Sequence, residues 1–163
     1  AFFARSAAAD RGPILDAGCG TGLAAESLSI LGYQGLIGID LSKGMLKEAR
    51  NTGVYESLHR MVLGDTMSYP SDTIAATIAT GVFTEGHAPC SSFDELIRDT
   101  KRGGYIIFNV RDDIYENAGF RDRMEQLEAG GLWTLIEKSE RFRPFTDNDT
   151  NVVARVFVYE VSS

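Results

Sequence analysis

Cysteine is scarce in this chain: only Cys19 and Cys90 occur among its 163 residues. Two thiols in separate segments cannot supply a disulfide framework or a four-ligand structural zinc site. A reducing, cytoplasmic setting is the expectation that follows. Histidine is also sparse, and His59 and His87 lie too far apart, with no Cys-x-x-Cys pair, to suggest a metal site. No apolar run approaches the ~20 residues of a membrane-spanning helix, and Ala1 to Ala9 has no cleavable signal pattern. Positive charge is in deficit, with 16 Lys and Arg against 23 Asp and Glu, a formal net charge of −7. The averaged field therefore opposes phosphate backbones, and neither nucleic acid nor a membrane is an expected partner. Repeats, heptads and low-complexity tracts are missing, as is any serine-histidine-acid order.

What is present begins with Ile14-Leu15-Asp16-Ala17-Gly18-Cys19-Gly20-Thr21-Gly22, an apolar strand that meets an acid and then three glycines at alternate positions. Glycine allows the sharp turn and lets backbone N–H groups approach a ligand, while the following helix, near 22–31, directs its positive end there. Dinucleotides and S-adenosylmethionine both use such turns. From Gly18 the dinucleotide spacing fails at Leu23, whereas from Gly20 the permissive form ending in alanine is met at Ala25. The turn alone leaves both ligands open.

Strand-like runs alternate with helical ones through the first two thirds, which predicts a parallel sheet with helices on both faces. Strands are expected at 13–17, 35–40, 58–63, 74–80 and 105–110, with helices at 22–31, 43–51 and 93–100. Ser92 and Glu95 have capping-box spacing at the start of the third helix. A further amphipathic helix is expected over 120–129, stopped by Gly130-Gly131. Runs at 133–142 and 152–161, separated by turn formers at 144–150, read as a hairpin that closes the sheet with an antiparallel strand. Alternate spacing assigns Trp133, Phe142, Phe145, Phe157 and Tyr159 to core before any stacking platform. At this length one domain, 1–163, is expected.

Four segments in register, Asp16-x-Gly18-x-Gly20-x-Gly22, Gly38-Ile39-Asp40-Leu41-Ser42, Leu63-Gly64-Asp65 and Arg102-Gly103-Gly104-Tyr105, give the chain its resemblance to the class I S-adenosylmethionine-dependent methyltransferases. More narrowly, Gly53-Val54-Tyr55-Glu56, Gly86-His87-Ala88-Pro89-Cys90 and 127–133 resemble the methyltransferase-like protein of the Williams-Beuren syndrome region. The resemblance implies an α/β Rossmann-like three-layer sandwich, a seven-stranded sheet of order 3-2-1-4-5-7-6 with one antiparallel strand. It implies S-adenosylmethionine as cofactor and methyl transfer to a small molecule, or to a protein side chain. It also implies that part of the substrate lid lies N-terminal to this sequence.

Residue by residue, the methionine end is expected over Gly18, Cys19, Gly20 and Gly22, with Asp16 orienting the turn or meeting the ammonium. Asp40, 20 residues after Gly20, is expected to accept from both ribose hydroxyls. Leu41 and Met45 either face the adenine or belong to the core. Gly64, Asp65 and Thr66 either read the adenine edge or form a plain turn. Thr80 and Gly81 would present backbone carbonyls to the ammonium. Thr80-Gly81-Val82-Phe83 lacks the Asn or Asp followed by Pro-Pro of amide and exocyclic-amine methyltransferases and the Pro-Cys of cytosine enzymes. Glu85 stands without the second glutamate that arginine methyltransferases use. His87 is the catalytic candidate, as a general base, or else packs its loop. Asn109, Arg111 and Tyr115 line an acceptor pocket or are solvated loop. Cys19 is expected to be a buried support of the turn, not a reactive thiol. The competing readings are a binding module without turnover and an NAD-dependent oxidoreductase.

Overall fold

A computed structural model describes residues 12–84, 86–144 and 152–163. Seven strands form one sheet in the order β3-β2-β1-β4-β5-β7-β6: β1 (Ile14–Ala17), β2 (Leu36–Asp40), β3 (Tyr55–Arg60), β4 (Ile74–Phe83), β5 (Thr100–Arg111), β6 (Trp133–Lys138) and β7 (Ala154–Val161). Strands β1 to β5 pair in parallel, and β7 runs antiparallel to both β5 and β6. This is the expected architecture, including the single reversed strand. The helices among the described residues are α1 (Leu23–Ile30), α2 (Lys43–Asn51), α3 (Ser92–Asp99), α4 (Asp112–Asn117) and α5 (Phe120–Ala129).

The two faces have different fillings because alternate strand residues point to opposite sides. Ile14, Leu36, Ala76 and Ile78 pack with Ala25 and Leu28 of α1. The opposite face is dominated by aromatics: Phe83, Phe93, Phe108, Phe120, Trp133, Phe157 and Tyr159 share one buried cluster. Trp133 and Tyr159 stack with centroids 4.1 Å apart, and Trp133 Nε1 donates to Met124 O. Trp133, Phe157 and Tyr159 are core, as their alternation suggested, whereas Phe142 is exposed and Phe145 lies outside the described residues.

Four local expectations are corrected. β3 begins three residues early, at Tyr55, and ends at Arg60; Met61, Val62 and Leu63 leave the sheet. β5 starts at Thr100, not at 105. β6 ends at Lys138, and Phe142 touches the sheet only through a bridge to Ala154; much of the turn at 144–150 lies outside the described residues. The capping box does not form: Ser91 occupies the N-cap position of α3 without a side-chain bond, and the Ser92 hydroxyl is buried with no partner among the described residues. Glu95 accepts instead from Met67 N at 2.7 Å and from Arg98. Its carboxylate is held below the usual range, chiefly by the Arg98 bonds.

Candidate active site

The carboxyl ends of β1, β2 and β4 enclose a cleft of about 460 Å³, at the strand edge where open parallel sheets bind ligands. Its floor is the glycine turn. Gly18 and Cys19 N–H groups both donate to Ile39 O, at 2.8 and 2.9 Å, which ties the turn to β2. Asp40, the last residue of β2, accepts from Gly20 N at 3.0 Å on Oδ2 and from Ser42 N at 2.7 Å on Oδ1. One carboxylate thus clamps the glycine turn to the start of α2, whose N-cap is Ser42, accepting from Met45 N. Each carboxylate oxygen keeps capacity for a further donor.

Gly18, Gly20, Asp40, Leu41, Met45, Thr80, Gly81 and His87 all line this cleft. Asp16, Cys19, Gly22, Gly64, Asp65 and Thr66 do not. Asp16 is fully buried beneath the turn; the Tyr55 hydroxyl donates to its Oδ2 at 2.6 Å, and Oδ1 has no partner among the described residues. Burial, the leading cause, with Asp40 adding to it against the Tyr55 bond, pushes the Asp16 carboxyl up to about 6. Burial likewise raises the Tyr55 phenol, with the Asp16 charge next. Cys19 is 7% exposed and its thiol is pushed up to about 12, first by burial and then by Asp16 and Asp40, which makes it the inert support expected.

Two of the glycines outside the lining have packing reasons. Gly22 sits at φ 99° at the N-cap of α1, where a Cβ would press on Thr52 and Tyr55. Gly64, at φ 103°, packs against Pro89 of the loop after β4. Asp65 and Thr66 are exposed.

The wall that continues from Asp40 past the end of β3 is not among the site residues expected from the sequence, and Met61 N donates to Asp40 O at 3.2 Å. Met61, Val62 and Leu63, with Ile39, Ser42, Val82, Gly86 and Ala88, complete the lining. The apolar triplet 61–63 is expected as strand; in the structure Met61 and Leu63 pack against the core and all three residues line the cleft. Leu41, Met45 and Val62 are 56, 45 and 44% exposed, so three large apolar side chains meet solvent around one carboxylate. Exposed apolar surface of this kind, rimmed by polar groups, marks a ligand groove.

A bulge shapes the remaining side. Ala79 pairs with Phe108 and Phe83 with Val110, so Thr80, Gly81 and Val82 stand opposite Asn109 alone. Gly81 N, lost to the ladder, donates to the Asn109 side chain at 2.7 Å. Asn109 and Arg111 therefore belong to β5, and Tyr115 to α4, where it stacks on Phe157. None of the three lines this cleft, and all lie in regular elements and not in solvated loop. Beyond the bulge, His87 Nδ1 lies 2.8 Å from Thr84 Oγ1. His59, to which no role was given, lies at the exposed end of β3.

No group of three or more metal-ligating side chains occurs among the described residues, and none of their helices is long and apolar enough to cross a membrane. The methyltransferase-domain family matches residues 15–108. Human methyltransferase-like protein 27 is 35% identical over 125 residues, covering 74% of this chain and 50% of that protein. A ubiquinone biosynthesis O-methyltransferase of Vibrio cholerae is 29% identical over 133 residues, covering 72% and 51%. The chain thus spans about half the length of the curated relatives it matches. Among solved structures, an S-adenosylmethionine-dependent methyltransferase of Methanosarcina mazei superposes with a TM-score of 0.73, covering 93% of each chain at 13% identity, a likeness of fold.

Proposed function

The chain belongs to the S-adenosylmethionine-dependent methyltransferases, and from that membership we propose that it binds its cofactor in the cleft beside Asp40 and methylates a small molecule. The observation that carries this reading is the pairing of bare backbone with a pinned carboxylate and exposed apolar walls. At Gly20 and Gly81 an added Cβ would meet nothing within 4 Å, so both offer backbone to open space. The N–H groups of Gly18, Gly20 and Gly81 are bonded within the chain, so these glycines suit the aminoacyl tail by the room they leave beside the backbone, while Asp40 suits two vicinal hydroxyls, and Leu41, Met45 and Val62 suit a purine face. The donor set therefore fits S-adenosylmethionine.

In this reading Gly18, Gly20 and Gly81 hold the methionine end, with Thr80 beside them. Cys19 and Gly22 shape the turn, and Asp16 acts from beneath it on the ammonium, its partnerless Oδ1 supporting that role. Asp65 and the Thr66 N–H, just beyond the Met61–Leu63 wall and after Gly64, read the adenine edge. When bound, the cofactor supplies a sulfonium methyl whose C–S bond breaks with its electron pair on sulfur. The chain contributes position, exclusion of water and, through His87, a proton acceptor. His87 Nδ1 shares a hydrogen bond with Thr84 Oγ1, and the tautomer that donates from Nδ1 is the one whose basic nitrogen is Nε2.

The narrower kinship, to the methyltransferase-like protein of the Williams-Beuren syndrome region, is part of the same proposal, supported by the match to methyltransferase-like protein 27. So is the cytoplasm, supported by two free cysteines.

Calorimetry with S-adenosylhomocysteine tests the site. Wild type is expected to bind in the micromolar range, and Asp40→Ala to lose roughly 1.5–3 kcal/mol, as for hydrogen bonds to a charged group. A melting temperature raised by NAD but not by S-adenosylhomocysteine would return the oxidoreductase reading. Binding without methyl transfer to any acceptor in a cell extract would make the chain a binding module.

A further inference from the structure

A second cavity, of about 500 Å³, adjoins the cleft at the His87 loop and lies between that loop and helices α4 and α5. Gly86, His87 and Ala88 line both spaces, so this short segment is their common wall. The second cavity has an apolar floor, with Ile114 and Phe120 buried and Ala118 at its edge. Its volume is that of a small-molecule site. No lysine or arginine lines it among the described residues.

Among the described residues the carboxylate in its lining is Asp113. Asp113 is fixed by Arg111, which donates Nε to Oδ1 at 3.0 Å and a terminal nitrogen to Oδ2 at 2.6 Å. These bonds hold the Asp113 carboxylate below the usual range, so it remains charged. A carboxylate or phosphate entering this space would find no lysine or arginine in the lining to pair with, because the nearby Arg111 guanidinium is already engaged bidentately by Asp113. An imidazole on the common wall favours an acceptor that has a proton to lose.

We propose that this cavity is the acceptor pocket and that the acceptor is an uncharged hydroxyl compound with an apolar body. The inference rests on the cofactor occupying the cleft beside Asp40. The body lies against Ile114 and Phe120, and the hydroxyl reaches the His87 wall. The hydroxyl oxygen forms the new bond to the methyl carbon as the C–S bond breaks, and the O–H proton passes to His87. Cofactor and acceptor thus meet along the one loop that lines both spaces.

The test uses the chain saturated with S-adenosylhomocysteine and two probes, catechol and 3,4-dihydroxybenzoate, which adds one carboxylate. Binding is read by saturation-transfer NMR and by the rate of Cys90 alkylation with N-ethylmaleimide. Cys90 lines the cavity, whereas Cys19 is buried with a raised thiol pKa and serves as internal control. Catechol is expected to bind and to slow Cys90 labelling about threefold or more, and dihydroxybenzoate to bind about tenfold more weakly. Ala118→Trp, which fills the cavity edge, should weaken catechol about tenfold and leave S-adenosylhomocysteine affinity within about twofold. Cys90 protection in wild type needs no variant to fold. Equal binding of catechol by Ala118→Trp, carboxylate binding as tight as catechol, or no binding and no protection by catechol would each overturn the proposal. Failure of wild type to bind S-adenosylhomocysteine would instead remove the reading on which it stands.

Discussion

Gly18 and Gly20 share a positive φ, 76° and 54°, yet a methyl group added at each meets different surroundings. At Gly18 it would collide with Val82 Cγ2; at Gly20 it would stand in open space beside the cleft. Gly18→Ala is therefore expected to cost about 2–3 kcal/mol of stability, from overpacking together with left-handed backbone strain. Gly20→Ala should cost only about 1 kcal/mol in stability, but weaken S-adenosylhomocysteine about tenfold or more because the new methyl takes ligand space. Urea denaturation and calorimetry on the two variants separate these effects. Reversal of the pattern, with Gly20→Ala unstable and binding normally, would mean that the turn serves folding and not the ligand. His87→Ala gives a complementary outcome at the same scale. Its kcat should fall about 10²- to 10⁴-fold while S-adenosylhomocysteine affinity changes little, because a base acts on the acceptor's proton.

Elements inherit these demands, and the bulge in β4 shows how. Gly81 reaches the cleft because three residues of β4 stand opposite one of β5, and the N–H so released is held by Asn109. Asn109→Ala should cost no more than about 1 kcal/mol in stability, since Gly81 is exposed and water can replace the lost acceptor. S-adenosylhomocysteine affinity should nonetheless fall several-fold as the bulge loses its anchor, with Asn109→Asp restoring most of it; calorimetry reads both. Much at this scale was legible from the chain. The glycine turn, Asp40 at the end of β2 and the reversed β7 each carry a local signal in spacing or turn chemistry. What escaped had signals with two physical causes. Met61, Val62 and Leu63 are as apolar as a strand, but Met61 and Leu63 pack on the core from outside the sheet and all three line the cleft, so the expected β3 is displaced. Helix α4 has six residues and one buried side chain, Ile114, too short for periodicity to register. The capping box failed because Glu95 is held by Arg98, three residues on in the same helix, and by Met67 N, a distant donor that no local spacing encodes. Tyr55 under Asp16 joins residues 39 positions apart, a contact visible only after β3 is placed next to β2.

For the whole molecule these buried contacts set a pH dependence. Asp16 and Asp99 are both fully buried, and burial pushes each carboxyl up to about 6 from an ordinary value of 3.8. Arg98 lies 2.6 Å from Asp99 Oδ1, but its attraction does not outweigh the burial, and both Asp99 oxygens are without an aligned hydrogen bond among the described residues. Below pH ~4 both carboxyls are protonated in the folded and unfolded chain and contribute no difference. Between ~4 and ~6 the folded chain holds protons that the unfolded chain has released, so stability falls as pH rises; above ~6 the full penalty is present. At roughly 1.4 kcal/mol per pKa unit the penalty is at most about 3 kcal/mol per carboxyl. Glu95 and Asp113 act in the opposite sense. Their lowered carboxylates contribute stability above their unfolded values and lose it as pH falls through their folded ones. Maximum stability is therefore expected near pH 4–5 and not at neutrality. Melting temperatures across pH 4 to 8 should fall in wild type, and Asp16→Asn and Asp99→Asn, isosteric and uncharged, should each flatten that fall by several degrees. Asp16→Asn should also weaken S-adenosylhomocysteine if the charge beneath the turn serves the ammonium, whereas Asp99→Asn, at the far end of α3, should leave binding intact. Equal slopes in all three proteins would mean that both carboxyls titrate near their ordinary value, with water reaching them in solution.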